Sequence, residues 1–378
     1  MKTVLLLLLM ACPFLIRAQI PLPQLSNLTQ LCTNCERVDA CHRGCRLNAE
    51  LLYDAPTGAP CPAGGNAYQI WTMHYDGSNK VNLSATAPGL LAFTGKLNQG
   101  NAKWSPDGKW IVLQVQSGNS IAPCNISGTN PGSGFEQNVV VCTATASRCW
   151  QLTFNIPGTG SGVLHPQWTS DLGYLYWMNI LGTGNTDANF YGTLRSAPFS
   201  TLSNTPTLGP ATDFTDGINA TNWYEPAGYM PNNPCQIFVT SGVHWNTTQI
   251  FSFNVCQHTG WTPVTPLTGA GETTGPYSEF HNCDSTSSLA LVSSSRYTPK
   301  SIPPAGTITF PEDDLTLMPC SSSAWTFPLT FYNSPKALQY IPGPVYVPHP
   351  VWAAGLSLVL FTVESPGASS IWSASFTL

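Results

Sequence analysis

An all-β fold made of repeated strand units is predicted by three features of this 378-residue sequence. A motif that begins with Trp and continues through a turn into a β-branched strand recurs along the chain. The 32 Gly and 33 Pro are spread throughout and mark frequent turns. Sustained helical periodicity is missing, and the one helix-compatible pattern covers residues 37–52. Short strand units repeated in this way are typical of a β-propeller.

The clearest unit is NAKWSPDGKWIVLQVQ at 101–116, in which Pro-Asp-Gly forms a turn before a strand rich in β-branched and aromatic residues. A second copy, HPQWTSDLGYLYWMN, occupies 165–179, and a third, HPVWAAGLSLVLFTV, occupies 349–363. Weaker copies begin near 225 and 278, where the Trp and the Asp-Gly pair are lost. The openings lie near residues 49, 101, 165, 225, 278 and 349.

These residues carry a resemblance to a known repeat. WSPDGKWIVL, with strand–turn–strand pairs of the form xIWxMxxDGS, resembles the repeat of TolB-type propellers over residues 49–378. The resemblance implies a six-bladed TolB-like β-propeller with about four strands in each blade. A seventh blade, hidden before residue 49, is the alternative. Trp104, Trp168 and Trp352 are then predicted to pack between blades.

The last unit ends after its third strand, at 371–377. Closure of the ring therefore predicts a strand from the start of the mature chain, over about 20–28, which would remove the open edge between the first and last blades.

The N-terminus predicts export. Lys2 precedes a short apolar run at 4–10, and Ile16 and Ala18 fit the −3 and −1 positions of a cleavage site, so residues 1–18 are interpreted as a signal peptide. Residues 19–48 form a Cys-rich segment, and the propeller is assigned to 49–378. We find no later apolar run of the length that a membrane span needs. We expect a secreted protein.

Cysteine usage agrees with an oxidising compartment, because twelve cysteines remain after the signal peptide. Their spacing predicts local pairs, although sequence does not fix connectivity. The expected pairs are Cys142 with Cys149, Cys235 with Cys256, Cys283 with Cys320, and Cys61 with Cys124. Cys32, Cys35, Cys41 and Cys45 are expected to form two disulfides, with a zinc knuckle that includes His42 as the alternative.

Five Asn-x-Ser/Thr sequons predict N-glycosylation on a eukaryotic secretory route. They begin at Asn27, Asn82, Asn125, Asn219 and Asn246.

Charge excludes one class of partner. Charged residues make up 9% of the chain, against a usual share of about 25%, and no basic run occurs. A nucleic-acid interface is therefore not expected. Glycans or assembly into a larger structure would explain how so weakly charged a protein stays soluble.

A candidate site follows from the repeat. The residue three positions before the repeated Trp is Asn101, His165 and His349 in three units, and Glu225 holds this place in a fourth. In the fifth unit His281, or the nearby Glu279, is closest to it. If these side chains converge on the propeller channel, they could hold a divalent metal. A resemblance to oligogalacturonate lyases, propellers with channel histidines and manganese, implies the same. The alternative is that each His orders the entry of its strand.

The leading hypothesis is a non-enzymatic binding or structural protein of a cell surface, matrix or extracellular fibre. A G-x-S-x-G nucleophile motif does not occur, and no paired-carboxylate motif is visible. The partner of such a non-enzymatic protein would be a protein or a glycan at a propeller face, or a second copy of the chain. No cofactor is expected. The alternative is a secreted carbohydrate-active enzyme, of lyase or hydrolase type, with a metal in the channel.

Overall fold

The computed structural model describes most of the chain from residue 24 onward. The described residues are 24–41, 51–60, 66–94, 98–116, 134, 136–156, 158–183, 190–202, 204–215, 223–242, 249–264, 278–284, 286, 288–294, 314–321, 327–330, 332, 345–347, 349–353, 357–365 and 368–377. The predicted signal peptide lies outside these residues.

Six antiparallel sheets form the described part of the chain, one for each blade of a β-propeller. Blade 1 contains β2 (Glu36–Ala40), β3 (Leu51–Pro60), β4 (Asn66–Met73) and β5 (Val81–Asn82). Blade 2 contains β6 (Gln99–Trp104), β7 (Trp110–Gln116), β8 (Gln137–Thr143) and β9 (Cys149–Gln151). Blade 3 contains β10 (Gly162–Trp168), β11 (Tyr174–Thr183), β12 (Phe190–Ser200), β13 (Thr207–Leu208) and β14 (Thr212–Phe214).

The other three blades follow the same order from the inner strand outward. Blade 4 contains β15 (Trp223–Met230), β16 (Asn233–Gly242), β17 (Gln249–Asn254) and β18 (Thr259–Pro263). Blade 5 contains β19 (Ser278–Cys283), β20 (Leu289–Ser294), β21 (Asp314–Pro319) and β22 (Phe327–Pro328). Blade 6 contains β23 (Val351–Ala353), β24 (Leu358–Ser365) and β25 (Ala368–Thr377), and its outermost strand is β1 (Gln24–Thr33).

The ring closes through that first strand. β1 pairs antiparallel with β25 from Gln24 opposite Thr377 to Thr33 opposite Ser370. A strand from the beginning of the chain therefore completes the last blade, as the missing fourth strand predicted. It lies slightly later than the predicted 20–28. The six-bladed count is confirmed, and the seven-bladed alternative is wrong.

The opening of the first blade differs from the prediction. The inner strand of blade 1 is β2, so the first unit opens at residue 36 and not near 49. The helix-compatible pattern at 37–52 is also wrong where it is described, because 36–40 and 51–60 are strands that pair with each other. Strand pairing and burial of β2 between blades override the local pattern there.

Two short helices, α1 (Leu83–Thr86) and α2 (Pro88–Thr94), link blade 1 to blade 2. Neither was predicted, because each is too short to show a period. Among the described residues, no helix is long and apolar enough to cross a membrane.

Apolar packing between neighbouring blades forms the core. Each blade interface holds one cluster of buried side chains, and together the clusters run around the ring. Each cluster has members from both neighbouring blades, such as Leu52 and Trp104, Val112 and Trp168, Tyr176 and Tyr224, Phe238 and Val292, Leu315 and Trp352, and Leu360 and Leu51. The three repeated Trp residues are at most 4% exposed. Their prediction as packing residues is confirmed.

A side-chain turn follows the repeated Trp in two blades. In blade 2, Asp107 Oδ1 accepts hydrogen bonds from Ser105 Oγ and from the backbone N–H of Lys109. In blade 3, Asp171 Oδ1 accepts from Thr169 Oγ1 and from the N–H of Gly173 in the same arrangement. The Asp therefore fixes the turn that brings the second strand back against the first.

Disulfides link strand regions within three of the blades. Three of the predicted pairs, Cys142–Cys149, Cys235–Cys256 and Cys283–Cys320, are present in blades 2, 4 and 5. Cys32 pairs with Cys35 at the end of β1, and Cys41 is also disulfide-bonded. Cys45, Cys61 and Cys124 lie outside the described residues, so the remaining predicted pairings stay predictions.

Replacement of Trp168 by Ala should lower the free energy of unfolding by about 3–5 kcal/mol, because it opens a cavity between blades 2 and 3. Phe154→Ala is the matched control: Phe154 is 77% exposed, and we expect a change within about 0.5 kcal/mol. Denaturant unfolding followed by Trp and Tyr fluorescence measures both. Equal effects of the two substitutions would contradict the packing role of Trp168.

Candidate functional site

A bulge in the inner strand of each of three blades aims one side chain at the channel. The pairing register shifts between Glu36 and Asp39 in β2, between Gly100 and Lys103 in β6, and between Leu164 and Gln167 in β10. Bulges of this kind redirect side chains and recur next to functional sites.

Each of these bulges contains a residue in the left-handed region. Arg37 has φ 52°, Asn101 has 53° and His165 has 51°, and His349, just before β23, has 55°. This backbone costs an L-residue roughly 1–2 kcal/mol. The same strained conformation therefore recurs at the equivalent position of four blades, and in each case the side chain lines one pocket.

Two of the four strained positions are held by a side chain of the preceding blade. Asp54 Oδ2, on β3 of blade 1, accepts a 2.8 Å hydrogen bond from the backbone N–H of Asn101 in blade 2. Gln114 Oε1, on β7 of blade 2, accepts a 3.1 Å bond from the N–H of His165 in blade 3. Because a bulge leaves its N–H outside the strand ladder, a buried acceptor on the preceding blade satisfies it.

A guanidinium group lies where the side chains converge. Nη1 of Arg37 is 2.6 Å from Asn101 Oδ1 and 3.2 Å from His349 Nε2, and it also contacts His165 Nε2. The two imidazole rings are perpendicular, with their centroids 5.6 Å apart. Arg37 thus joins blades 1, 2, 3 and 6 at a single nitrogen atom.

His165 connects the guanidinium to a carboxylate. Its Nδ1 contacts Glu225 Oε1 on the opposite side of the ring from Arg37. Arg can only donate, so His165 Nε2 must accept, and the neutral ring carries its proton on Nδ1, which donates to Glu225. Burial lowers the pKa of His165 well below its usual value, and the positive charges of Arg37 and Lys103 lower it further.

The pocket is lined by polar, charged and apolar side chains. Its other lining residues include Lys103, Gln167 and Val351. Lys103 Nζ lies 3.5 Å from Asp39 Oδ1, and Asp39 also accepts the backbone N–H of Trp104, which ties blade 1 to blade 2 at this depth. The lining therefore combines donors, acceptors and both signs of charge around a small volume.

Three of the side chains form a donor set of the kind that metals use. One ligand atom from each of His165, Glu225 and His349 lies within 4.8 Å of the others. Metal–ligand bonds of about 2.0–2.2 Å place two ligands at most about 4.4 Å apart. The set is thus of about the size of a metal site, and Arg37 Nη1 contacts the Nε2 atoms of both of its histidines.

The structure places Asn101, His165, Glu225 and His349, from four blades, around one pocket. The side chain of His281 lies outside the described residues. Its backbone falls at a register shift in β19, between Phe280 and Asn282.

Sequence reasoning missed Arg37, which lies at the centre of the site. Arg37, Val38 and Asp39 stand where Asn101, Ala102 and Lys103 stand in the next blade. The repeat motif does not mark this inner strand, because β2 has no Trp and lies within the cysteine cluster.

Comparison with known proteins assigns this chain to no family. No protein-family model matches the sequence, and no curated protein does either. Among solved structures, a prolyl endopeptidase is 11% identical with a TM-score of 0.45, and the match covers 91% of this chain. A puromycin-hydrolysing peptidase of Mycobacterium tuberculosis is 11% identical with a TM-score of 0.44, over 85% of this chain.

The chain spans 42% and 40% of the length of these two peptidases. A manganese complex of an oligogalacturonate lyase is 12% identical with a TM-score of 0.49, and the match covers 93% of both chains. At such identities nothing about activity, metal or substrate is transferred to this protein.

Asp54 should make the protein less stable as the pH rises. Burial raises the pKa of Asp54 to about 8, from an unfolded value near 4. Between these two pKa values the folded state holds a proton on Asp54 that the unfolded state has released. The stabilisation that Asp54 provides is therefore fully present below pH 4 and is lost by pH 8. The slope is at most about 1.4 kcal/mol per pH unit.

Asp54→Asn keeps an oxygen for the Asn101 N–H and should flatten this part of the pH profile. The control is Asp76→Asn on the surface, which should leave the profile unchanged. Urea unfolding at pH 5, 6.5 and 8 measures the difference. A profile for Asp54→Asn that is parallel to that of the unmodified protein would contradict the prediction.

Proposed function

We propose that this protein is a secreted, N-glycosylated propeller that acts as a non-catalytic binding or structural protein outside the cell. The observation that carries the proposal is the position of Arg37 Nη1 within the candidate metal set, in contact with Nε2 of both His165 and His349. A metal bonded through these two nitrogen atoms would need the same lone pairs.

A resident guanidinium gives the channel a structural role. A metal bonded to both Nε2 atoms would overlap the position of Nη1, so it could bind only if Arg37 withdrew. With Arg37 in place, the positive charge is balanced through His165 by Glu225, and five of the six blades are linked by side-chain contacts. Buried networks of this kind fix one arrangement of the elements they join.

Export is supported by the covalent chemistry. Four described disulfide pairs, in a chain with five sequons and a signal-like N-terminus, fit an oxidising compartment better than the cytosol. In this proposal the glycans contribute the solubility that the small number of charges does not.

One exposed loop between blades 2 and 3 favours a protein as the binding partner. Phe154 and Ile156 are 77% and 67% exposed. Asn155, between them, points inward: its N–H donates to Asn138 Oδ1 and its Nδ2 to the carbonyl of Gln137, both at 2.7 Å. Exposed apolar side chains on a preorganised backbone are typical of contact sites for other proteins.

The second candidate function is a metal-dependent, carbohydrate-active enzyme. It is favoured by the proximity of His165, Glu225 and His349, whose nitrogen and carboxylate donors suit Mn²⁺ or Zn²⁺. These three residues would hold the metal, which would polarise a substrate oxygen as a Lewis acid. This function requires Arg37 to leave the centre of the set.

Substitution of Arg37 separates the two candidates. In the non-catalytic protein, Arg37→Ala should lower the free energy of unfolding by about 2–4 kcal/mol, because Asn101, His165 and His349 lose their charged partner. It should also expose the two imidazoles, so that Zn²⁺ raises the melting temperature of Arg37→Ala but not that of the unmodified protein. Elemental analysis of the secreted full-length chain and thermal unfolding with and without Zn²⁺ make the measurements.

The double variant Arg37→Ala/His349→Ala is the matched control and should show no response to Zn²⁺. As a single substitution, with Arg37 kept, His165→Ala should lower the free energy of unfolding by about 1–3 kcal/mol. It should not change the metal content of the protein. One transition-metal ion per unmodified chain, removed by a chelator and absent from His165→Ala, would overturn the proposal in favour of the enzyme.

A further inference from the structure

The outer edge of β1 is the exposed edge of the blade that closes the ring. Among the described strands, none pairs with this side of β1, which is outermost in blade 6. The strand QLSNLTQLCT contains no charged residue and no Pro, and most of its residues are exposed. Charges and Pro are common means by which proteins prevent an open edge from pairing with another chain.

One half of this edge is covered by blade 1. Lys80 Nζ donates a 2.7 Å hydrogen bond to the carbonyl of Leu31, and the turn at Gly77 lies against the same residue. The first half of β1, from Gln24 to Gln30, lies beyond this cover. The part of this edge that is open to pairing with another chain is therefore about seven residues long.

A sequon lies in this open half. Asn27 is exposed, has φ 52°, and lies at a bulge, within the register shift between Ser26 and Thr29. Its Nδ2 makes one long contact, 3.3 Å to Ser375 Oγ. Thr29, the third residue of the sequon, is exposed as well. A glycan on Nδ2 would leave one amide hydrogen for Ser375.

The other described sequon differs in every one of these respects. Asn82 Oδ1 accepts the N–H of Ala85 and caps α1, and its Nδ2 donates a 2.7 Å bond to Gln69 Oε1. Ser84, its third residue, is 1% exposed, and its Oγ bonds to the N–H of Ile70 and to Gln99 Oε1. This sequon is part of the packed connection between blades 1 and 2.

We propose that Asn27 carries an N-linked glycan that shields the open half of β1 against pairing with a second copy of the chain, while the Asn82 side chain serves the fold and carries none. The inference rests on the export proposed above. It explains how β1, which is the longest outermost strand of the described blades and carries no charge, is kept from pairing with another chain.

Two substitutions of one residue test the inference. The full chain is expressed in a secretory eukaryotic host, with Thr29→Ala, which destroys the sequon, and Thr29→Ser, which keeps it. Peptide mapping after enzymatic deglycosylation locates each glycan, and sedimentation velocity at rising concentration measures self-association. We expect a glycan at Asn27 and none at Asn82. Thr29→Ala should lose the Asn27 glycan and self-associate, whereas Thr29→Ser should remain monomeric like the unmodified protein.

The outcomes are distinguishable. An exported protein with glycans at Asn125, Asn219 or Asn246 but an unmodified Asn27 would overturn this inference and leave the proposed function standing. Failure of export, with no sequon modified, would overturn the proposed function itself. If Thr29→Ala lost the glycan yet stayed monomeric at every concentration, the shielding role would be wrong.

Discussion

Closure of the ring is the constraint on which the rest of the structure depends. A single four-stranded blade cannot bury both of its faces, so each blade is stable only between two neighbours. Trp104, Trp168 and Trp352 fill three of the six interfaces, and the pairing of β1 with β25 prevents the first and last blades from separating. The same closure creates the channel, because six inner strands are forced to face one axis.

The channel site is a consequence of how the inner strands bend. A regular strand would alternate its side chains between the two neighbouring blades, and few would face the axis. The bulges at Arg37, Asn101 and His165 redirect one residue each, and acceptors such as Asp54 and Gln114 hold the strained backbone from the preceding blade. The strain is thus supported by the same interfaces that hold the ring together.

The donor set of this site suits two kinds of cation. The donors of His165, Glu225 and His349 suit a divalent metal, but a guanidinium group that belongs to the chain lies among them. A covalently attached cation has a very high effective concentration, so a metal would have to bind strongly enough to displace it. The identity of the cation decides between a structural network and a reactive centre.

The sequence by itself determined the local elements: the Trp and Asp-Gly turns of the blades, the need for a closing strand, and the pairs Cys142–Cys149, Cys235–Cys256 and Cys283–Cys320. Each of these depends on residues within one unit or on a count of units. Only the tertiary structure placed Arg37 against Asn101, His165 and His349, which lie 64, 128 and 312 residues away in the chain. Their meeting depends on the curvature of six blades and on the direction of each bulge. Local patterns do not encode either property, because both arise only when every blade has packed against the next.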